Sequence, residues 1–223
     1  MRVIVFGATG MVGQGALREC LRDDRVEQVL AVTRSALGQR HPKLRELVPP
    51  DFYDFSAVRG ELAGYDACLF CLGVSSLGMD EAAYRRVTYD LTLAAATLLA
   101  ELNPELVFEY VSGQGTDGTG TGRRMWARVK GQTENALLAL PFRGYMLRPG
   151  FIQPRYGVTS RTGWYRAVYR LTGGLYPVLR RLFPGSVTTT EHLGRAMLAV
   201  ARDGAPKRVL ENRDINTVAA AYQ

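Results

Sequence analysis

Val3-Ile4-Val5-Phe6-Gly7-Ala8-Thr9-Gly10-Met11-Val12-Gly13-Gln14-Gly15-Ala16-Leu17 is an apolar run that breaks into glycines and then resumes with helical spacing. It reads as strand, turn and helix. The run ending at Phe6 suits a parallel strand buried on both faces, and Gly7 lets the backbone turn sharply behind it. Gly10, without a Cβ, leaves room for a pyrophosphate to approach the backbone, and Gly13 lets a helix over about Met11 to Leu21 pack closely on its strand. The helix N-terminus then faces the phosphates, where free N–H groups and the helix dipole favour an anion. A second apolar strand, Gln28-Val29-Leu30-Ala31-Val32-Thr33, begins at the distance of a βαβ unit. The expected fold is α/β: a Rossmann-like, doubly wound parallel sheet.

The chain of 223 residues is 47% hydrophobic, enough for one sizeable core and too short for two full α/β domains. One NAD(P)-binding domain over residues 1–223 is therefore expected. No charged leader precedes the first strand and no segment approaches the ~20 apolar residues of a membrane span, which predicts a cytoplasmic protein. Cys20, Cys68 and Cys71 read as buried thiols, because the C-x-x-C of Cys68 and Cys71 lies inside an apolar strand rather than opening a helix. With only His41 and His192 as histidines, no metal site is expected. The net charge of +7 comes from dispersed residues, which argues against a nucleic-acid partner. Of the 28 basic residues only Lys43, Lys130 and Lys207 are lysines, so a lysine inside a core-facing helix asks for a reason.

The second strand ends at Thr33-Arg34-Ser35, where a fold that prefers NAD usually carries an acid for the ribose hydroxyl. No acid is present, and Arg34, with Thr33 beside it, suits a 2′-phosphate, so NADP is expected over NAD. A short third strand falls between Pro42 and Asp54, interrupted by Pro49-Pro50. Asp54 has two readings, a contact to an adenine ring beside Phe55 or an N-cap for a helix over Ala57 to Leu62. Strand four, Asp66 to Gly73, ends in Cys71-Leu72-Gly73 beside the crevice at the carboxyl ends of the strands. A helix from about Asp80 to Leu102 follows, with Ala83, Val87, Leu91, Ala94, Leu98 and Leu102 as its inner stripe. Strand five, Leu106 to Gly113, brings Ser112 to the same crevice. The glycine-rich stretch Gln114 to Gly122 is read as a flap over a site or a plain loop. A helix over Arg123 to Leu140 carries Trp126 and Lys130, and strand six, Gly144 to Gly150, delivers Pro149-Gly150-Phe151-Ile152 to the crevice. Thr190-Glu191 opens a last long helix with Leu193, Met197 and Val200 inward, before a last strand at Arg208 to Asn212.

The Gly7, Gly10, Gly13 spacing resembles the turn of atypical and extended short-chain dehydrogenase/reductases rather than the G-x-G-x-x-G of ordinary dehydrogenases. Ser112 followed by Trp126-Ala127-Arg128-Val129-Lys130 is similar to that family's serine and Tyr-x-x-x-Lys set, with tryptophan in place of tyrosine. Leu147-Arg148-Pro149-Gly150 and Thr188 to Met197 extend the likeness over nearly the whole chain. It is closest in kind to small NAD(P)-binding epimerase/dehydratase-like proteins related to the oxidoreductase Tat-interacting proteins. The resemblance implies a nucleotide cofactor held by Gly7, Thr9, Gly10, Met11, Val12, Gly13, Thr33, Arg34, Asp54, Phe55, Cys71, Leu72, Gly73, Ser112, Lys130, Pro149, Gly150, Phe151 and Ile152. It also implies catalysis through Ser112, Lys130 and Trp126.

In that family a tyrosine hydroxyl exchanges the proton at the substrate oxygen, a lysine lowers its pKa and binds the nicotinamide ribose, and a serine orients the carbonyl. Four-residue spacing keeps Trp126 and Lys130 one turn apart on one helix face. An indole N–H is only a donor, so Trp126 can stack or hydrogen-bond but not act as a general acid. Thr88, in Val87-Thr88-Tyr89-Asp90-Leu91-Thr92, stands where extended members carry a supporting asparagine. Two functions follow as alternatives: an NADP-dependent oxidoreductase or epimerase-like enzyme on a small carbonyl substrate with altered proton delivery, or a protein that senses NADP(H) without turnover. Residues 153–186, with Trp164, Tyr165, Val168, Tyr169 and Leu171 among arginines, are expected to shape substrate choice. That basic amphipathic segment reads as a cover for the cleft or as a weak membrane-surface contact.

Overall fold

The fold is described from a computed structural model, for residues 1–157 and 185–222. Most of the segment expected to shape substrate choice thus lies outside the described residues. In chain order the elements are β1 (Arg2–Phe6), α1 (Met11–Arg22), β2 (Gln28–Val32), β3 (Leu44–Leu47), a 3₁₀ turn (Ser56–Leu62) and β4 (Ala67–Phe70). Next come α2 (Glu81–Arg85), a π turn (Arg86–Asp90), α3 (Leu91–Leu102), β5 (Val107–Val111), α4 (Met125–Leu138), β6 (Arg143–Arg148) and β7 (Phe151–Gln153). After the undescribed stretch follow β8 (Val187–Thr189), α5 (Thr190–Asp203), β9 (Val209–Glu211) and α6 (Asn212–Ala221).

Seven strands form one parallel sheet in the order β3-β2-β1-β4-β5-β6-β9. The order reverses direction between β1 and β4, the switch point outside which an open α/β sheet presents its crevice. Alternation along each strand splits the core in two. Val3, Val5, Val29, Ala31, Leu69, Val107 and Leu147 meet α1 and α5 on one face, while Ile4, Phe6, Leu30, Phe70, Phe108 and Met146 meet α3 and α4 on the other. On that second face Phe6, Phe70, Phe108 and Phe142 stack in series, with centroids 5.0, 5.7 and 4.8 Å apart. Each such pair contributes about 0.5–1.5 kcal/mol beyond its buried area.

Four features depart from the sequence reading or decide between its alternatives. The helix over 80–102 turns Tyr84, Thr88, Thr92, Ala95, Ala96 and Leu99 fully inward, whereas of the expected stripe Ala83 is exposed and Val87, Leu91, Ala94, Leu98 and Leu102 are half-buried, with Leu91, Leu98 and Leu102 against the core. Apolar residues lie all round α3, so periodicity does not choose a face, and the large Tyr84 ring takes the interior. Gln114 to Gly122 is a folded loop rather than a flap: Asp117 accepts from the Thr119 N–H and hydroxyl and the Gly122 N–H, and its own N–H donates to the Ala127 carbonyl. Gly131 permits this approach, since a Cβ there would overlap the Asp117 carbonyl. Lastly, β7 and β8 pair as a small second parallel sheet, and α6 follows the last strand; neither carries a strong local signal. Among the described residues no helix is long and apolar enough to cross a membrane.

Candidate active site

The carboxyl ends of β1, β4, β5 and β6 surround a cleft of about 570 Å³. Its lining includes Gly10, Met11, Val12, Cys71, Leu72, Gly73, Ser112, Pro149, Gly150 and Ile152 from the strand ends, with Trp126 and Lys130 from α4. The structure thus gathers twelve of the residues named from the sequence into one cavity. It does not bring the others to this wall. Gly7 takes φ +79°, and Gly7 and Gly13 are spent on packing: a Cβ on Gly13 would lie 2.1 Å from the Gly7 carbonyl oxygen. Thr9 borders a neighbouring groove beside α1, and Phe151 precedes Ile152 in β7.

Thr33 bonds locally, its hydroxyl donating to the Ser35 carbonyl at 2.8 Å, and Arg34 is exposed at the end of β2. Asp54 accepts from the Ser56 N–H at 2.8 Å in an Asx turn one residue ahead of Phe55, which is the N-cap of the 3₁₀ turn, so Asp54 is not that turn's N-cap. The Phe55 ring is buried edge-on against Phe6, so it packs in the core and offers no face to an adenine.

The wall of the cleft suits a dinucleotide. Gly10 is the N-cap of α1 with φ −83° and no side-chain cap, so the first N–H groups of the helix stay open beside the cleft. A Cβ built on Gly73 or Gly113 would meet nothing within 4 Å, and on Gly10 only the Gly7 carbonyl oxygen at 3.3 Å. These backbones border open space that a ligand can approach closely. The α1 N-terminus supplies N–H donors for phosphate oxygens there.

At the α4 end the polar groups are interlocked. Ser112 Oγ donates to Glu134 Oε1 at 2.6 Å, with the Leu147 carbonyl at 3.2 Å as a weaker second acceptor. Glu134, buried on α4 one turn beyond Lys130, is clamped by Arg148 of β6 through Nε at 3.0 Å and Nη2 at 2.5 Å. Arg148 also reaches Glu211 at 3.0 Å. The Glu134 carboxylate holds the Arg148 guanidinium above its ordinary range. Lys130 Nζ donates to the Ser112 carbonyl at 2.5 Å. Loss of hydration on burial lowers its pKa to about 8, against the pull of Glu134. Burial and the nearby Glu109 carboxyl push the Cys71 thiol up, so it stays protonated. Sequence reasoning passes over Glu134 and the role of Arg148; the available signal is an acid at i+4 from Lys130 on the cleft-facing side of a helix. Among the described residues no cluster of three or more His, Cys, Asp or Glu is arranged to hold a metal.

The solved structures that resemble the chain carry this arrangement of sheet and helices. WbmF of Bordetella bronchiseptica, solved with NAD+, matches at TM-score 0.65 with 18% identity over 97% of this chain and 76% of its own. A short-chain dehydrogenase/reductase-family oxidoreductase of Burkholderia thailandensis matches at 0.65 with 16% identity, over 98% of this chain and 95% of its own. The fold is that of the short-chain dehydrogenase/reductases. Within that fold the likeness extends to a superfamily protein of Agrobacterium tumefaciens with bound NAD, at TM-score 0.65 and 14% identity over 95% of this chain and 77% of its own. No protein-family model matches the chain. One curated relative, leucinostatins biosynthesis cluster protein T of Purpureocillium lilacinum, is 27% identical over 122 residues, 53% of this chain and 45% of that protein.

Proposed function

We propose that this chain is an atypical short-chain dehydrogenase/reductase that binds NADP(H) in the β1/β4 cleft and acts as an oxidoreductase on a small carbonyl substrate. The observation that carries the reading is the gathering of Gly10, Gly73, Ser112, Trp126 and Lys130 on one cleft at the switch point of the sheet. The α1 N-terminus and the open backbones of Gly10, Gly73 and Gly113 would hold the pyrophosphate and ribose, with Pro149 to Ile152 beside the nicotinamide. The cofactor, when bound, supplies or takes a hydride at the substrate carbon. Arg34 and the missing acid after β2 favour the 2′-phosphate form, although five of the similar structures were solved with NAD.

The chain's own residues divide the remaining work. Lys130 and the Ser112 backbone fix the floor of the cleft, and Trp126 offers a flat apolar face and one N–H to ring or oxygen. The Ser112 hydroxyl, already donating to Glu134, meets a ligand as an acceptor. This same commitment favours a second reading, an NADP(H)-sensing protein without turnover, because a serine so engaged does not donate to a carbonyl. Fluorescence titration with NADPH and NADH, followed by a panel of ketones and quinones, separates the two. Oxidation of NADPH by any member supports the reductase, and tight binding without oxidation supports the sensor.

A further inference from the structure

The cleft offers few groups able to exchange a proton. Among the described residues that line it, only Cys71 and Lys130 titrate, and the Cys71 thiol is held protonated by burial. The Ser112 proton is directed at the Glu134 carboxylate, which Arg148 pairs, and Trp126 only donates. One of the three Lys130 N–H bonds is anchored on the Ser112 carbonyl, which leaves two for a ligand.

We propose that Lys130 is itself the proton-exchanging group of the cleft, its ammonium protonating a substrate oxygen in reduction and its free amine accepting that proton in oxidation. The assignment rests on the oxidoreductase reading above. In reduction, the carbonyl carbon accepts a hydride from a dihydronicotinamide and the π pair moves onto oxygen. That oxygen forms its O–H bond as a Lys130 N–H bond breaks, leaving the pair on Nζ. The carbonyl gains two electrons, the dinucleotide loses two, and the amine regains a proton from water.

The surroundings suit this role. Glu134 faces Lys130 from its own helix and is itself neutralised by Arg148 of β6; β5 presents the Tyr110 ring 5.8 Å from Nζ, with Tyr84 of α2 beside that ring; the Cys71 thiol follows β4. None of these is an uncompensated anion, so burial outweighs attraction and brings the ammonium to about 8, where both of its forms are populated near neutrality.

Only three lysines occur, so protein labelled with 13C at the lysine Cε gives three resonances. Lys130→Arg identifies one of them, and Lys43→Arg with Lys207→Arg identifies it by elimination should the first variant fold poorly. A midpoint near pH 8 is expected; a midpoint above about 10, the ordinary lysine value, overturns the proposal. Arginine keeps the cation and its donors but does not release a proton. Lys130→Arg should therefore lower kcat for NADPH-dependent reduction by ~10²–10⁴-fold, while the NADPH Kd stays within about tenfold. In the unmodified protein the same kcat should fall about tenfold per pH unit above 8. Undiminished kcat in Lys130→Arg, or no turnover of any ketone or quinone by the parent, refutes the assignment and leaves dinucleotide binding standing. Failure of the parent to bind NADPH refutes the oxidoreductase reading instead, and the resonance midpoint still decides whether Lys130 is poised.

Discussion

At the α4 end of the cleft Glu134 is 1% exposed and held by two bonds from Arg148 and one from Ser112, whereas at the β2 end Arg34 is exposed and the Thr33 hydroxyl bonds its own turn. The first end is built into the fold and holds its geometry without a ligand. The second presents a cation whose use, on the reading proposed here, comes with a phosphate. Substitutions at the two ends should therefore be read in different quantities, stability at one and affinity at the other.

Arg148→Met should have the largest effect. It leaves Glu134 buried without its cation, a loss of about 3–5 kcal/mol, read as a lower denaturant midpoint; a stability change under about 1 kcal/mol would mean that the network is not built in. Arg34→Ala should leave stability within about 0.5 kcal/mol yet remove about 1.5–3 kcal/mol of preference for NADPH, roughly ten- to hundredfold in Kd. Equal NADPH and NADH affinities in the parent would erase the contrast between the ends.

Glu109 sharpens it from a third side. Three residues before Ser112 on β5, it is fully buried, and neither carboxyl oxygen has a hydrogen-bond partner among the described residues. Where Glu134 has Arg148, Glu109 has, among the described residues, the apolar sheet and the thiols of Cys20, Cys68 and Cys71, and burial raises its pKa well above the ordinary carboxyl value of 4.5. The folded protein holds this proton more tightly than the unfolded chain, so its contribution to stability is complete below about pH 4.5 and declines as pH rises toward the raised pKa, by at most about 1.4 kcal/mol per unit. Glu109→Leu should gain about 1 kcal/mol at neutral pH, by an amount that grows from pH 5 to pH 8. A pH-independent difference would show that Glu109 is not held neutral.

Much of the frame is legible in the sequence because it rests on local signals. The apolar run before Gly7, the continuous strands at Gln28 and Asp66, and the inward Leu193, Met197 and Val200 all follow from periodicity and glycine placement. The interlocked end is not legible in that way. The contact of Ser112 with Glu134 spans 22 residues and that of Arg148 with Glu211 spans 63, so only the parallel stacking of β5, β6 and β9 brings them together. For the same reason Asp54 and Phe55 mislead: a third strand ending at Leu47 hands over to a long turn, in which the acid accepts from the Ser56 N–H two residues on and the ring sinks into the core.

The measurement that bears most directly on the proposed function is calorimetric titration of NADPH and NADH into the protein and into Gly10→Val. Gly10 has backbone angles that valine adopts, and its Cβ direction is open apart from the Gly7 carbonyl, so the variant should keep its circular dichroism while its side chain takes the ligand's space. Saturable binding of NADPH at least about tenfold tighter than that of NADH, abolished in Gly10→Val, is expected of a cofactor seated on the Gly10 backbone. NADPH binding that survives Gly10→Val unchanged, or its absence from the parent, would refute that seat.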